Sequence, residues 1–282
     1  MHIRTSLSRV KFRHQLCLLT ALLVWLGVFP AACTTPEEAA PLPSSTWGGR
    51  YAYSYSPPAK GNMPPGSVPV TVAVVNPSYR ETDSALMSEI YAKVARGFTS
   101  SMGTDLDKIL IAKGMTTTGP FPSLDEITYS DKKNSELTLA PKIFISTEVK
   151  YGNMHPTRRR EGLTMERDFN MSISGWVSFI MQEPLSGEKM WIKKLELEPV
   201  QVSGVEIFEA VPRYGNDGCG GHPIVGYDAT QKHLYYGQTE AMAGALKQLY
   251  PVIMNEFQRY LDSDEMVQLK EKGKEIRTRK VY

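Results

Sequence analysis

The pattern of apolar and polar residues predicts a set of strands and helices from about residue 68 onward. The run from Val68 to Val75 is almost continuously apolar and ends at Asn76-Pro77, which indicates a strand covered on both faces. A long amphipathic helix is predicted from about Asp83 to Lys113, with Gly114 placed to close it. Its apolar residues recur at a spacing of four: Leu86, Ile90, Val94, Phe98, Met102, Leu106 and Leu110.

The middle of the chain predicts a strand, from Ile143 to Tyr151, and then a β-hairpin. Between Phe169 and Met181 most even positions are polar, so one face packs and the other meets water. The apolar odd positions are Phe169, Met171, Ile173, Val177, Phe179 and Met181. Trp176 and Ile180 are the exceptions to this alternation. The segment Glu183-Pro184-Leu185-Ser186-Gly187 supplies the turn. On the return strand the apolar phase slips by one at Lys193-Lys194, after Met190 and Ile192 and before Leu195 and Leu197, which predicts a β-bulge there.

The last third of the chain predicts a glycine-rich loop and a second helix. The loop extends from about Ser203 to Gly237, and Pro251 is expected to kink or break the helix that follows. From Asp262 onward a charged run predicts a solvated helical tail. The apolar stripe of the helix consists of Met242, Leu246, Leu249, Ile253 and Phe257.

Together these elements predict an α+β fold. The expected sheet is rich in antiparallel pairs and packs against two long helices, with the elements in the order β-α-β-β-β-α. The globular domain is predicted to span residues 68–262, followed by the charged C-terminal tail at 263–282.

The N-terminal pattern is typical of a bacterial secretory signal peptide. Four basic residues precede a 13-residue apolar run from Leu16 to Val28, which is too short to span a bilayer, where about 20 residues are needed. Cys33 follows Ala31-Ala32, so residues 1–32 are predicted to be cleaved and the Cys33 thiol to be acylated. The alternative is an ordinary signal peptide cut nearby, with Cys33 incidental.

Residues 33–67 are predicted to form a tether between the lipid and the domain. Eight prolines fall between Pro36 and Pro69, and the segment has too little apolar surface to offset its ordering entropy. An extended tether would reach roughly 100 Å at about 3.1 Å per residue. An aromatic cluster interrupts the pattern, and docking onto the domain is favoured over a role as a partner-binding strip. Its members are Trp47, Tyr51, Tyr53 and Tyr55.

The charge argues against a nucleic-acid-binding protein, and the cysteine content argues against an intramolecular disulfide. Removing residues 1–32, which hold four Lys/Arg and no Asp/Glu, changes the formal charge from +2 to −2. The remaining chain has no excess of positive charge that would favour binding to nucleic acid. Cys17 leaves with the signal peptide and Cys33 takes the lipid. Cys219 therefore remains alone, and no intramolecular disulfide is predicted.

Several short segments of the chain, spaced along it in the same order, are similar to segments of a known protein family. The chain resembles the neuraminyllactose-binding hemagglutinin lipoproteins, also described as flagellar sheath adhesins, from about residue 68 to its C-terminus. The resemblance implies a lipoprotein of the outer membrane or flagellar sheath, with an α+β domain and a proposed affinity for sialylated glycans. The stretches are Ile90-Tyr91-Ala92-Lys93, Leu106-Asp107-Lys108-Ile109-Leu110 with Lys113-Gly114, Glu183-Pro184-Leu185-Ser186-Gly187-Glu188, and Ile253-Met254-Asn255-Glu256 before the Lys/Arg-rich end.

The proposed glycan motif of that family is a short basic stretch between the middle strands. Arg158, Arg159 and Arg160 occupy that position here. A guanidinium group suits the carboxylate of sialic acid because its planar fork donates two parallel hydrogen bonds. The alternative is a solvated, charged hairpin tip.

The other chemical signals predict no catalytic residue, cofactor or metal. Cys219-Gly220-Gly221-His222 holds two possible metal ligands near Asp217, but a closed zinc site needs four. The glycines lack a phosphate-loop ending, and no nucleophile elbow is present. We therefore expect a non-enzymatic protein anchored to the membrane by its lipid. Two functions stay open, an adhesin for sialylated glycans and a structural or assembly lipoprotein that contacts envelope or flagellar-sheath proteins.

Overall fold

The computed structural model describes residues 51–59, 61–80, 91–160, 162–215 and 224–280. The strands are β1 (Thr71–Val75), β2 (Ser78–Tyr79), β3 (Thr116–Phe121), β4 (Leu137–Leu139), β5 (Lys142–Arg159), β6 (Gly162–Gln182), β7 (Lys189–Tyr214) and β8 (Ile224–Tyr236). The α-helices are α1 (Ala92–Ala112), α2 (Tyr129–Asn134), α3 (Gly237–Tyr260) and α4 (Ser263–Arg279). None of the helices in these ranges is long and apolar enough to cross a bilayer.

The strands form one mixed eight-stranded sheet. Strands β5 to β8 pair antiparallel in sequence order, and β4 also pairs antiparallel with β6. Parallel pairs join β1 to β3 and β4, and β2 to β5. The fold is therefore mixed α/β with a large mixed sheet and four helices, and neither the antiparallel-rich sheet nor the predicted order of elements is confirmed.

Strand β6 carries the core face of the sheet, as its alternating pattern predicts. Phe169 and Phe179, with the odd-numbered apolar residues between them and Met181, are fully buried. The opposite face is less open to water than expected, because Ser178 is also buried there beside Ile180. Phe179 packs its ring 4.7 Å from that of Phe257 in α3, so this face joins the sheet to the helices.

The β-bulge predicted at Lys193-Lys194 is wrong. These residues pair regularly with Phe179 and Ser178, and Ile192 on the outer face is 55% exposed. The register shifts further along β7, where Leu197 pairs with Gly175 but Val200 pairs with Ile173. The extra residue lies at Glu198-Pro199, and proline, which has no N–H to donate, is tolerated at bulges.

Helices α1 and α3 cover the core face, and both predicted apolar stripes are buried where the structure describes them. Gly114 follows α1 with φ +84°, which confirms it as the terminating residue. The proposed start of α1 at Asp83 lies outside the described residues. Helix α3 continues through Pro251 to Tyr260, so the chain does not break there.

The charged C-terminal run is helical, as predicted, but one of its faces is buried and not solvated. Met266, Leu269 and Ile276 of α4 are buried against the domain. Arg277 donates from Nε to Oε1 of Glu183 at 2.7 Å, and this contact ties α4 to the predicted turn between β6 and β7. The sparse apolar residues of α4 are therefore enough to dock it.

The prediction of a glycine-rich loop at residues 203–237 is wrong as well. Strand β7 continues to Tyr214, and β8 returns from Ile224 to the start of α3. Gly204 pairs with Phe169 in the ladder, and a Cβ at that position would lie 2.5 Å from the ring of Phe169. That glycine therefore makes room for a core aromatic residue and does not mark a loop.

The second half of the predicted tether docks on the domain. We call residues 51–59 and 61–67 the strap. Tyr53 stacks on Tyr250 of α3, with its amide donating to Oγ of Ser101 at 3.0 Å. The amide of Tyr55 donates to Oδ2 of the buried Asp105 at 2.7 Å. Docking of the aromatic cluster is thus confirmed for its three tyrosines, whereas Trp47 lies outside the described residues.

Candidate functional site

The far end of strands β5 to β8 forms an arm beyond the helices. We define the arm as residues 151–160, 162–168, 205–215 and 224–236. Strands β5 and β7 end, and β6 and β8 begin, at the same end of the sheet, because all four strands are antiparallel neighbours. Most of the described residues at these strand ends are exposed. The arm therefore offers surface that the packing of the domain does not use.

One face of the arm is apolar. Residues that pair directly across strands lie on the same face, so Pro212 lies beside Tyr227, and Tyr214 beside Ile224. Tyr214 is 59% exposed and Ile224 is 52% exposed. This face continues the side that α3 covers further down the sheet, and an exposed apolar surface of this kind is typical of an interaction site.

A buried hydrogen-bond network fixes the base of the arm to the helices. Glu206 accepts from Nη2 of Arg167 at 2.6 Å and also from Nε2 of Gln238 in α3. The Tyr91 hydroxyl donates to Oε1 of Gln238, and the Arg167 guanidinium lies 3.9 Å above the ring of Tyr151. Because every one of these polar groups has a partner, the network fixes the orientation of the arm relative to α3.

The environment of this network shifts two pKa values. Burial raises the pKa of Tyr91 to about 12, helped by the nearby Tyr151 hydroxyl and Glu206 carboxylate. His233 stacks on Tyr236 at 3.9 Å between ring centres. Burial lowers the pKa of His233, Glu206 opposes that shift, and Arg167 adds to it. The lowered pKa favours the neutral imidazole.

The three predicted glycan-binding arginines do not converge. Arg158 and Arg159 are neighbours in β5, so their side chains leave opposite faces of the sheet. Arg159 donates from Nε to Oε1 of Glu166 at 2.7 Å and is only 10% exposed. Arg158 and Arg160 are exposed, and within the described part of the chain neither forms an ion pair. Two of the three guanidinium groups are therefore open to an outside ligand.

A second set of arginines lines a cavity that no pattern in the sequence predicts. Arg80, directly after β2, and Arg96, in α1, border a cavity of about 480 Å³. Both are exposed, and neither has an ion-pair partner among the described residues. Hydroxyl groups and small apolar side chains complete the lining, which includes Ser78, Tyr79, Thr99, Pro77, Ala92, Ala95 and Pro122.

Several predicted residues lie outside the described ranges. Cys33, the predicted lipidation site, is one, and so are Cys219, His222 and Asp217 of the short cysteine–histidine stretch. In the ranges that the structure does describe, no group of three or more His, Cys, Asp and Glu side chains is placed to hold a metal ion.

Comparison with known proteins adds little to this geometry. No family model matches the chain, and no curated protein matches it. Among solved structures, the chain is similar to a provisionally named neuraminyllactose-binding hemagglutinin homolog from Helicobacter pylori. The match has 15% identity and a TM-score of 0.47, and it covers 78% of this chain and 98% of that chain. A likeness this weak does not establish the family that the sequence resembles.

Proposed function

We propose that the chain is a non-enzymatic binding protein of the bacterial cell envelope, anchored by a lipid on Cys33, and that the arm is its contact surface. The observation that supports this most directly is the arm itself. A hydrogen-bonded base positions an exposed apolar face together with Arg158 and Arg160, neither of which forms an ion pair with the described residues. Such an arrangement suits recognition of a partner.

The ligand that we propose for the arm is a sialylated glycan, and the protein would then act as an adhesin. Arg158 and Arg160 would supply the hydrogen bonds to the carboxylate, whereas Arg159 is already engaged by Glu166. One exposed charge pair is worth about 0 to 1 kcal/mol, so a single site would bind in the millimolar range or more weakly. Many copies on one membrane would be needed for adhesion.

Binding of sialyllactose to multivalently displayed protein tests this proposal. The double variant Arg158→Ala/Arg160→Ala should lose as much binding as the triple variant that also changes Arg159. Lys150→Ala is the matched control, because Lys150 is an exposed cation of the same strand, paired with Glu148 at 3.2 Å. Binding that does not depend on sialic acid, or that survives the double variant, would remove the glycan ligand from the proposal.

The apolar face of the arm supports a second candidate function, an assembly lipoprotein whose arm contacts an envelope or flagellar-sheath protein. Protease shaving of intact cells separates the two functions, because an outward-facing adhesin is cut and a periplasmic protein is spared. The anchor is tested by Cys33→Ser, which should abolish detergent partitioning and leave the N-terminal peptide without added lipid mass. Unchanged membrane association would contradict the anchor.

A further inference from the structure

We propose that the Arg80–Arg96 cavity is a binding site for a small anionic ligand of about monosaccharide size. Its volume of about 480 Å³ falls in the range of small-molecule sites, which is roughly 300 to 1,000 Å³. The lining combines two cationic groups with hydroxyls and an apolar floor. This chemistry suits a hydroxyl-rich molecule that carries one carboxylate or phosphate group.

The charges of the cavity are not neutralised by the described protein. Arg167 and Arg277, in contrast, each donate to a buried carboxylate at 2.7 Å or less. Arg80 and Arg96 have like charges and share one cavity, so their charges repel each other. Binding of an anion would relieve this repulsion. Guanidinium groups are also the side chains best suited to bidentate recognition of carboxylate and phosphate.

The walls of the cavity are built from ordered secondary structure. The amide of Ser78 donates to the carbonyl of Pro141 at 3.1 Å, and that of Arg80 to the carbonyl of Ile143 at 3.1 Å. The Tyr79 hydroxyl donates to the carbonyl of Ala95 at 3.3 Å, which fixes β2 against α1. A site that is formed before its ligand arrives loses less entropy on binding.

The cavity and the arm are separate surfaces. Strand β2 pairs with the first residues of β5, at Lys142 and Ile143, whereas the arm begins at Tyr151 of the same strand. The 15-residue distance from Ile143 to Arg158 corresponds to roughly 50 Å along an extended strand. The proposed anion site therefore does not rest on the proposed function of the arm.

Calorimetric titration of the purified protein with three sugars tests the site. Glucuronic acid carries a carboxylate, glucose 6-phosphate carries a phosphate, and glucose carries neither. We expect at least one acidic sugar to bind and glucose not to bind. Arg80→Gln and Arg96→Gln should each weaken that binding at least tenfold, and Arg96→Lys should weaken it less because it keeps the charge.

Arg259→Gln is the control and should leave the titration unchanged, because Arg259 is an exposed residue of α3 that pairs with Glu256 and lies outside both the cavity and the arm. Exposed arginine substitutions of this kind keep the fold, which circular dichroism of each variant verifies. The proposal is overturned if neither acidic sugar binds, if glucose binds equally well, or if the two cavity variants bind like the wild type. The stronger of the two acidic sugars identifies the preferred anionic group.

Discussion

Replacing Arg277 by methionine is expected to destabilise the protein by about 3 kcal/mol at pH 7. Besides its 2.7 Å contact with Oε1 of Glu183, the guanidinium group donates from Nη2 to the carbonyl oxygen of Ser135 at 2.6 Å and to that of Lys132 at 3.3 Å. One side chain thus joins α4, the turn after β6 and the end of α2. Methionine retains the length of the stem and removes the charge and every donor.

The expected magnitude follows from the burial of Glu183, which has no exposed surface. Removing one partner of a buried ion pair costs about 3 to 5 kcal/mol. Protonation of Glu183 limits the part of that loss that comes from its unpaired charge, because protonating a carboxyl group of ordinary pKa about 4.3 costs about 3.7 kcal/mol at pH 7. The amides of Leu185 and Ser186 still donate to the carboxylate, which brings the expected loss below this limit.

The pH dependence has a definite sign. Burial by itself raises the pKa of Glu183, but Arg277 and the turn amides outweigh burial and hold the pKa below its ordinary value. A lowered carboxyl pKa stabilises the fold above the unfolded value of about 4.3, and this stabilisation is lost as the pH falls through the folded-state pKa. The difference between the wild type and Arg277→Met should therefore shrink below about pH 4.

Urea unfolding followed by circular dichroism at pH 7 and at acid pH measures both quantities. Lys274→Met is the matched control, since Lys274 lies in the same helix and forms an exposed pair with Glu271 at 2.8 Å. That variant should change the free energy of unfolding by about 0 to 1 kcal/mol. Equal losses in the two variants, or a loss for Arg277→Met that is the same at both pH values, would refute the reasoning.

Two further predictions test the strap and the register of β7. A Cβ at Gly97 would lie 2.1 Å from the carbonyl oxygen of Tyr51, so Gly97→Ala should detach the start of the strap and speed its proteolysis. Gly244→Ala in α3, where a Cβ meets open space, should leave the proteolysis rate unchanged. Phe179→Ala should cost roughly 3 to 5 kcal/mol in urea unfolding, and Ile192→Ala less than about 0.5 kcal/mol. Comparable costs at these two positions would place Ile192 in the core and restore the predicted bulge.

The sequence predicts the fold best where one periodicity dominates. Strand β6 alternates in period two and α1 in steps of four, and both buried faces follow those patterns. Prediction fails on β7 because Lys193 occupies a core-facing position beside Trp191. Its ammonium group lies 3.9 Å from Glu265, and its aliphatic stem covers apolar surface. A charged residue therefore occupies an inward position, and the apolar alternation of the sequence shifts by one residue although the strand pairing is regular.

The other failures have local physical causes. Strands β7 and β8 near the arm combine glycine, proline and charged residues, and such composition is typical of loops, although the ladder continues. Helix α4 buries only a few apolar residues among many charges, so its stripe is weak in the sequence. The strap did carry a signal, since Tyr51, Tyr53 and Tyr55 alternate with small residues, as expected of an extended segment with one buried side.

The candidate sites were predicted only in part. The arginine run at residues 158–160 is visible in the sequence, but the ion pair of Arg159 with Glu166 depends on strand pairing. Arg80 and Arg96 are separated by 16 positions and belong to different elements, so only the folded chain brings them to one cavity. No motif in the sequence joins them.

The docked strap also has a mechanical consequence. If Cys33 holds the lipid, the 17 residues 34–50 set the height of the domain above the bilayer at roughly 50 Å or less, about half the reach of the whole predicted tether. A pulling force on the anchor acts first on Tyr51 and then on Tyr53 and Tyr55, because their contacts lie between the membrane and the core. Peeling them off would release another 17 residues, or roughly 50 Å of slack, before the sheet bears load. Optical-tweezer extension from the N-terminus should show that step ahead of global unfolding, and a single rupture without it would show that the strap carries no load.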